Sequence, residues 1–217
     1  MKRFKDFINE TLQVYNGCFK VTLDMISNGK MIKNQIPYYV KGYFDCSALG
    51  LTTLEGTPSF VNESFFCNNN LLSSLEGCPT KVNGFYCHNN QLTSLEGCPS
   101  KIDGDFYCNY NQLTNLEGCP TTINDDFNCS NNRLTSLEGC PISVGGNLFC
   151  SKNLQDLTIE HDFIKSGRCS SKENYWIDLL KYMIDKKINL DNVKGWPEGF
   201  LSPKVIASAK GIVKFNL

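Results

Sequence analysis

Val82-Asn-Gly-Phe85-Tyr-Cys87-His-Asn-Asn90-Gln-Leu92-Thr-Ser-Leu95-Glu-Gly-Cys98-Pro99 recurs, in nearly the same words, along most of the chain. Leu-Glu-Gly begins at Leu54, Leu75, Leu95, Leu116 and Leu137, at spacings of 21, 20, 21 and 21 residues. All but the first continue into Cys-Pro, at Cys78, Cys98, Cys119 and Cys140. A unit this short cannot fold as a domain of its own. It buries its apolar side only by stacking on its neighbours, so the middle of the protein is expected to be a solenoid.

Alternation along a strand turns Phe65, Phe85, Phe106, Phe127 and Leu148 inward together with Cys46, Cys67, Cys87, Cys108, Cys129 and Cys150. Ten of the twelve cysteines fall on the repeat, the second set being Cys78, Cys98, Cys119 and Cys140. No Cys-x-x-Cys pair suggests zinc, and nothing suggests an oxidising compartment. The expectation is two columns of reduced core thiols, with no metal and no cofactor. Asn70, Asn90, Asn111, Asn132 and Asn153 each follow a column cysteine by three residues, where the chain must turn. Leu-Glu-Gly-Cys-Pro has too few residues, and too much glycine and proline, for a helix. That side of the coil is expected to be extended or turn-like.

The unit resembles the leucine-rich repeat consensus Leu-x-x-Leu-x-Leu-x-x-Asn-x-Leu, with Phe and Cys in the two strand leucine positions. Val82, Phe85, Cys87, Asn90 and Leu92 fit it without a gap, and the 21-residue units add one residue before the Phe, as from Ile102 to Phe106. The resemblance implies an α/β repeat solenoid. Its parallel strands line the concave face, its convex side is extended or turn-like, and small helical caps close both ends. It also implies that the asparagines are buried, with their amides bonding turn backbone.

Three segments are expected: an N-terminal helix or cap (1–17), the solenoid (18–160) and a helical C-terminal cap (161–217). Phe4, Phe7, Ile8 and Leu12 suit a short helix. Counting back 21 from Cys46 gives Met25, and from Pro58 gives Pro37, so 18–37 reads as a capping coil with Asn28-Gly29 as its asparagine turn. The rival is a hairpin closed by Asn28-Gly29. Leu154 and Leu157 are expected to close a shortened last turn. Ser170-Ser-Lys-Glu173 is a capping-box signature. Trp176, Leu179, Leu180, Met183 and Ile184 follow at helical spacing, as a face that plugs the solenoid's open end. Gly195-Trp196-Pro197 stops that pattern, and Val205 to Ala209 suits a second short helix.

A formal charge of -1 argues against nucleic acid as a partner. No run approaches the roughly 18 apolar residues of a membrane span, and the N-terminus lacks a secretory signal's apolar core. A cytoplasmic protein is expected. The outward position between the inward Phe and Cys reads Asp45, Phe66, Tyr86, Tyr107, Asn128 and Phe149. Ser47, Asn68, His88, Asn109, Ser130 and Ser151 flank it on one side, and Ser64, Gly84, Asp105, Asp126 and Asn147 on the other, with Tyr110 and Lys152 adding reach. The core does not need this aromatic row. The partner-binding set is therefore Phe66, Tyr86, His88, Tyr107, Asn109, Tyr110, Asn128 and Phe149, suited to a protein surface. A carbohydrate would also stack on it. Glu55, Glu76, Glu96, Glu117 and Glu138 form a further column, read as fanning into solvent or bonding backbone. With only His88 and His161 as histidines and no phosphate loop or nucleophile elbow, no catalytic residue is assigned. Cys169 is the one thiol outside the repeat considered as a nucleophile, and about fifty residues are too few for the catalytic domain it would need.

Asn-x-Leu-Thr-Ser-Leu-Glu-Gly-Cys-Pro, over residues 18 to 158, is also similar to a repeat in proteins of tailed bacteriophages, as is the ending Ala209-Lys-Gly-Ile-Val-Lys-Phe-Asn-Leu217. Residues 1 to 10 resemble the leader of phage internal proteins, cut after Leu/Ile-x-Glu, here Ile8-Asn9-Glu10. These resemblances imply a non-enzymatic phage protein that binds and inhibits a bacterial host defence protein in the host cytoplasm. Alternatives are an internal virion protein beginning at Thr11 and a thiol enzyme using Cys169. A second copy of the chain, docked face to face, is a further candidate partner.

Overall fold

The structure, a computed structural model, describes residues 14–32, 35–154, 157, 162–164, 175–193, 201 and 205–206. Over residues 14–153 the chain winds as a parallel β-solenoid built from pairs of two-residue strands. The pairs are β1 (Val14–Tyr15) with β2 (Phe19–Lys20), β5 (Tyr39–Val40) with β6 (Phe44–Asp45), β7 (Phe60–Val61) with β8 (Phe65–Phe66), and β9 (Lys81–Val82) with β10 (Phe85–Tyr86). Then come β11 (Lys101–Ile102) with β12 (Phe106–Tyr107), β13 (Thr122–Ile123) with β14 (Phe127–Asn128), and β15 (Ser143–Val144) with β16 (Leu148–Phe149).

The second strand of every pair joins one seven-stranded parallel ladder, in the order β16-β14-β12-β10-β8-β6-β2. The first strands build a second face, as the ladders β1-β5-β7 and β9-β11-β13-β15, with β7 touching β9. The sequence reading anticipated one strand per coil; the Val or Ile that opens each unit instead belongs to this second ladder. Two or three residues, such as Asn83-Gly84, turn the corner between the two faces. The Leu-Glu-Gly-Cys-Pro segments form turns, as their composition requires.

The interior repeats like the sequence. Each coil from β5–β6 to β13–β14 contributes one Val or Ile, one Phe, one Cys and two Leu, as in Val82, Phe85, Cys87, Leu92 and Leu95, all of them buried. The rings of Phe44, Phe65, Phe85, Phe106 and Phe127 stack at centroid separations of 5.5, 5.9, 5.5 and 5.3 Å. Each such Leu or Phe contributes roughly 1.5–3 kcal/mol through its removal from water. The asparagines tie the coils together. Asn111 Nδ2 donates to the carbonyls of Cys87 (3.2 Å) and Cys108 (3.0 Å), and Asn111 Oδ1 accepts from the Leu92 amide at 3.0 Å. Asn70, Asn90, Asn132 and Asn153 repeat the pattern.

At the N-terminal end both readings of 18–37 are partly realised. β2 pairs in parallel with β6, Phe19 opposite Phe44, so the segment does join the stack. Asn28-Gly29 closes an antiparallel hairpin of β3 (Ile26–Ser27) and β4 (Lys30–Met31), not an asparagine turn. Both turn residues have positive φ, 51° and 73°, the combination for which Asn-Gly is suited. The count back to Met25 is corrected: the residue in line with Cys46 is the buried Val21, whose amide donates to the Asp45 carbonyl at 2.8 Å. The hairpin absorbs the difference.

At the other end Leu157 is buried, whereas Leu154 is 64% exposed and closes nothing. Helix α1 (Tyr175–Asp185) buries Trp176, Leu179, Leu180 and Met183 as expected, and also Tyr175 and Tyr182, whereas Ile184, expected on the same face, is only half-buried. With Phe163 and Ile164, most of these side chains belong to one continuous hydrophobic cluster with the coils. The readings of the N-terminal helix, the leader, the capping box, the stop at Gly195-Trp196-Pro197, Cys169, His161 and the 209–217 ending lie outside the described residues. So does the proposed second short helix, apart from Val205 and Ile206.

The first cysteine column is buried from Cys46 to Cys129, where burial above all pushes each thiol pKa well up. The second is only partly a core column: Cys119 and Cys140 are buried, Cys78 and Cys98 half-buried. Burial raises the Cys78 thiol to about 12, and its Sγ donates to the Gly97 carbonyl at 2.8 Å. Glu55, Glu76, Glu96, Glu117 and Glu138 are exposed.

Candidate functional site

The seven-stranded ladder turns alternate side chains outward, and its register places Asp45, Phe66, Tyr86, Tyr107, Asn128 and Phe149 directly beside one another from coil to coil. The middle of this row is a packed aromatic run. Phe66 and Tyr86 stack with centroids 4.6 Å apart and planes 14° from parallel; Tyr86 and Tyr107 meet edge to face at 5.4 Å. Tyr43 extends the run, with its ring edge-on to Phe66 at 5.9 Å. Tyr43 stands 21 residues before Ser64, where the polar flanking column of Ser64, Gly84, Asp105, Asp126 and Asn147 begins with an aromatic residue that its later members do not announce.

Asn128 interrupts the row. Its Oδ1 accepts from the Ser130 amide (3.1 Å) and hydroxyl (2.6 Å), as Asp45 Oδ1 accepts from the Ser47 amide (3.0 Å) and hydroxyl (2.6 Å). Its carboxamide oxygen is committed to local structure. Phe149 lies beyond it, 43% exposed and separated from the other rings by Asn128. His88 lies beside Tyr107, with ring centroids 6.4 Å apart, and burial holds its pKa below the ordinary value. His88 Nδ1 and Asn109 Oδ1, on adjacent coils, are buried and have no hydrogen-bond partner. Buried polar atoms are seldom left so.

Tyr110 is 52% exposed and has φ 54°, a left-handed conformation that costs a bulky residue roughly 1–2 kcal/mol. Ala48, Asn69, Asn89, Asn131 and Lys152 occupy the same turn position in the other coils with φ of 54–58°, so the conformation belongs to the coil, and asparagine tolerates it more readily.

Carboxylates line one side of the run. Asp105 Oδ2 accepts from the Tyr86 hydroxyl at 2.9 Å, and Asp105 Oδ1 accepts from the Asp126 amide at 3.1 Å. The Tyr86 phenol pKa is raised by burial, then by the hydrogen bond to Asp105 and the negative charge of that carboxylate. Tyr107 is raised by burial and by Asp105 and Asp126. The lysines of these coils sit on the other ladder: Lys101 and Lys81 bind Asp103 at 2.8 and 3.6 Å.

A second aromatic surface, on the β1-β5-β7 face, was not read from the sequence. Val14, Tyr38, Tyr39, Phe60 and Asn62 line an open cavity of about 350 Å³. The same column carries Lys81, Lys101, Thr122 and Ser143 in later coils, so no repeating signal marks it.

Among the described residues no group of three or more His, Cys, Asp or Glu side chains could hold a metal ion, and no helix is long and apolar enough to cross a membrane. Eleven described cysteines are free thiols. Compared with protein-family models, curated proteins and solved structures, the chain matches none.

Proposed function

We propose that this solenoid is a non-enzymatic, leucine-rich-repeat-like scaffold that binds another protein through the outward, concave face of its seven-stranded ladder. The observation carrying this reading is the contiguous run Tyr43, Phe66, Tyr86 and Tyr107. The inward columns already supply the core, so these rings are left over for contact. Aromatic rings at the centre of a polar-rimmed patch are the usual anchors of protein interfaces. Pairing between the rings stabilises the ladder by roughly 0.2–1 kcal/mol per pair and accounts for part of the row. It does not account for the exposed ring of Tyr110. The helical segments at either end are caps in this reading.

The repeat's likeness to those of tailed phages supplies the setting: the partner is a bacterial host protein, a defence protein in the most concrete version, met in the host cytoplasm. The test is a pull-down from bacterial lysate with wild type and a Tyr86→Ala, Tyr107→Ala double variant, bound proteins being identified by mass spectrometry. A host protein captured by wild type and lost from the folded variant supports the reading. Equal capture by both moves the interface elsewhere, first to the Tyr38, Tyr39 and Phe60 surface.

A further inference from the structure

We infer that the aromatic row recognises a basic partner: an extended, arginine-bearing protein segment whose guanidinium groups lie over Tyr107 and pair with Asp105 and Asp126. This rests on the reading of the ladder face as a protein-binding surface, and names the chemistry of what it binds.

Charge complementarity carries the inference. Asp105, Asp125 and Asp126 stand along one side of the ring run, and no described lysine or arginine forms an ion pair with any of them. Several other carboxylates of the solenoid do have a lysine beside them, although Glu76, Glu96, Glu117 and Glu138, which no rings flank, do not among the described residues. Asp45, at the N-terminal end of the same row, has Lys20 at 3.6 Å, Glu55 has Lys30 at 3.0 Å, and Asp103 has two lysines. The centre of the row is therefore a place where carboxylates gather and internal cations are absent. Its chemistry is also matched to a planar cation. A tyrosine ring attracts a cation over its face; Phe66 stacks on one face of Tyr86 and Tyr107 adjoins the other, so the ring suited to this is Tyr107, tilted 63° from Tyr86. A guanidinium stacks on such a ring and still presents its N–H fork to a carboxylate at the edge, which a compact ammonium does less well.

The oxygens needed are not used up. Asp105 has one lone-pair direction occupied on each oxygen, and Asp126 uses only Oδ1, toward the Asn147 amide and side chain. Asp125 is exposed. A neutral sugar would use the rings but would not require three unpaired carboxylates beside them.

The test uses the full chain and a probe octapeptide, acetyl-(Arg-Ser)4-amide, with the same peptide carrying citrulline for arginine, and maltohexaose as the sugar control. Binding is followed by calorimetry. The variants are Asp105→Asn with Asp126→Asn, which keeps the Oδ1 acceptors of the ladder, and Tyr107→Ala; each is checked by its circular dichroism melt. The arginine peptide is expected to bind at least about tenfold more tightly than the citrulline peptide. The double Asn variant is expected to lose about tenfold, and raising sodium chloride from about 50 to about 500 mM to weaken binding. Equal affinity for the two peptides, unchanged affinity in the double Asn variant, or binding of maltohexaose alone overturns the inference. Repeating the lysate capture with these variants separates the two claims. A partner lost with Tyr107→Ala but fully retained by the double Asn variant leaves the ladder-face reading standing and ends the basic-partner one. Retention by both variants ends both.

Discussion

Each asparagine in the column from Asn70 to Asn153 serves two coils at once, because its amide caps the strand end of its own coil and of the one before. Replacing Asn111 by leucine keeps the bulk but removes one of the two asparagine donors to each of the Cys87 and Cys108 carbonyls, which keep Asn90 and Asn132, and strands the amide of Leu92. The expected cost is about 2 kcal/mol, read as a lower urea midpoint. Tyr110→Asn should act in the opposite direction. It relieves the left-handed φ and raises stability by about 0.5–1 kcal/mol in the same measurement, while weakening any partner that uses the ring. The asparagines were legible because a polar residue recurring at a fixed offset from a core cysteine has few other uses. The Tyr86 to Asp105 bond was not, since it joins residues nineteen positions apart across a stacking offset that only the register reveals.

At the scale of the element, the turn Leu-Glu-Gly is set by two constraints that coincide. Gly118 has φ 89°, and a Cβ there would lie 2.7 Å from the Leu95 carbonyl oxygen of the coil below. Gly118→Ala is therefore expected to cost about 2 kcal/mol or more, measured by thermal melting, since both the conformation and the coil spacing resist the methyl group. The main ladder could be read from Phe-x-Cys because two inward residues separated by one outward residue specify a strand. The second ladder offers one inward Val or Ile per coil, too little alternation to announce itself. The hairpin of β3 and β4 replaced the expected asparagine turn because Asn-Gly carries its own turn chemistry, and four extra residues (Phe19 to Phe44 spans 25, not 21) are accommodated by bulging out of the coil.

At the scale of the molecule, the column from Cys46 to Cys129 makes stability depend on pH in a defined direction. In the fold these thiols are held protonated by burial, with pKa values raised well above the ordinary 9.0. In the unfolded chain they ionise near that value. The unfolded state then binds fewer protons, so stability is intact below about pH 9 and falls as pH rises beyond it. The slope is about 1.4 kcal/mol per pH unit for each thiol. In reducing buffer, urea midpoints measured between about pH 8 and 11 should show this decline, and Cys87→Ala should reduce the slope by about one proton. A flat profile would mean that the column is solvent-accessible. That the column exists was legible from its spacing; its incompleteness in the second set was not, because the depth at which Cys78 and Cys98 sit depends on how the Gly-Cys-Pro turn is placed.

The register that stacks Phe on Phe and Asn on Asn also means that a whole coil can be removed without disturbing the joint. Deleting residues 91–111 brings Asn90 next to Gln112, the same Asn-Gln junction found at Asn90-Gln91 and Asn111-Gln112. The shortened chain is expected to keep a cooperative melt, several degrees lower, since a solenoid's stability is close to a sum over neighbouring coils. A gene with this property can lengthen or shorten by misaligned recombination between its own repeats and still encode a folded product. The outward row, free of the core's demands, is then the part of the protein on which selection can act most cheaply.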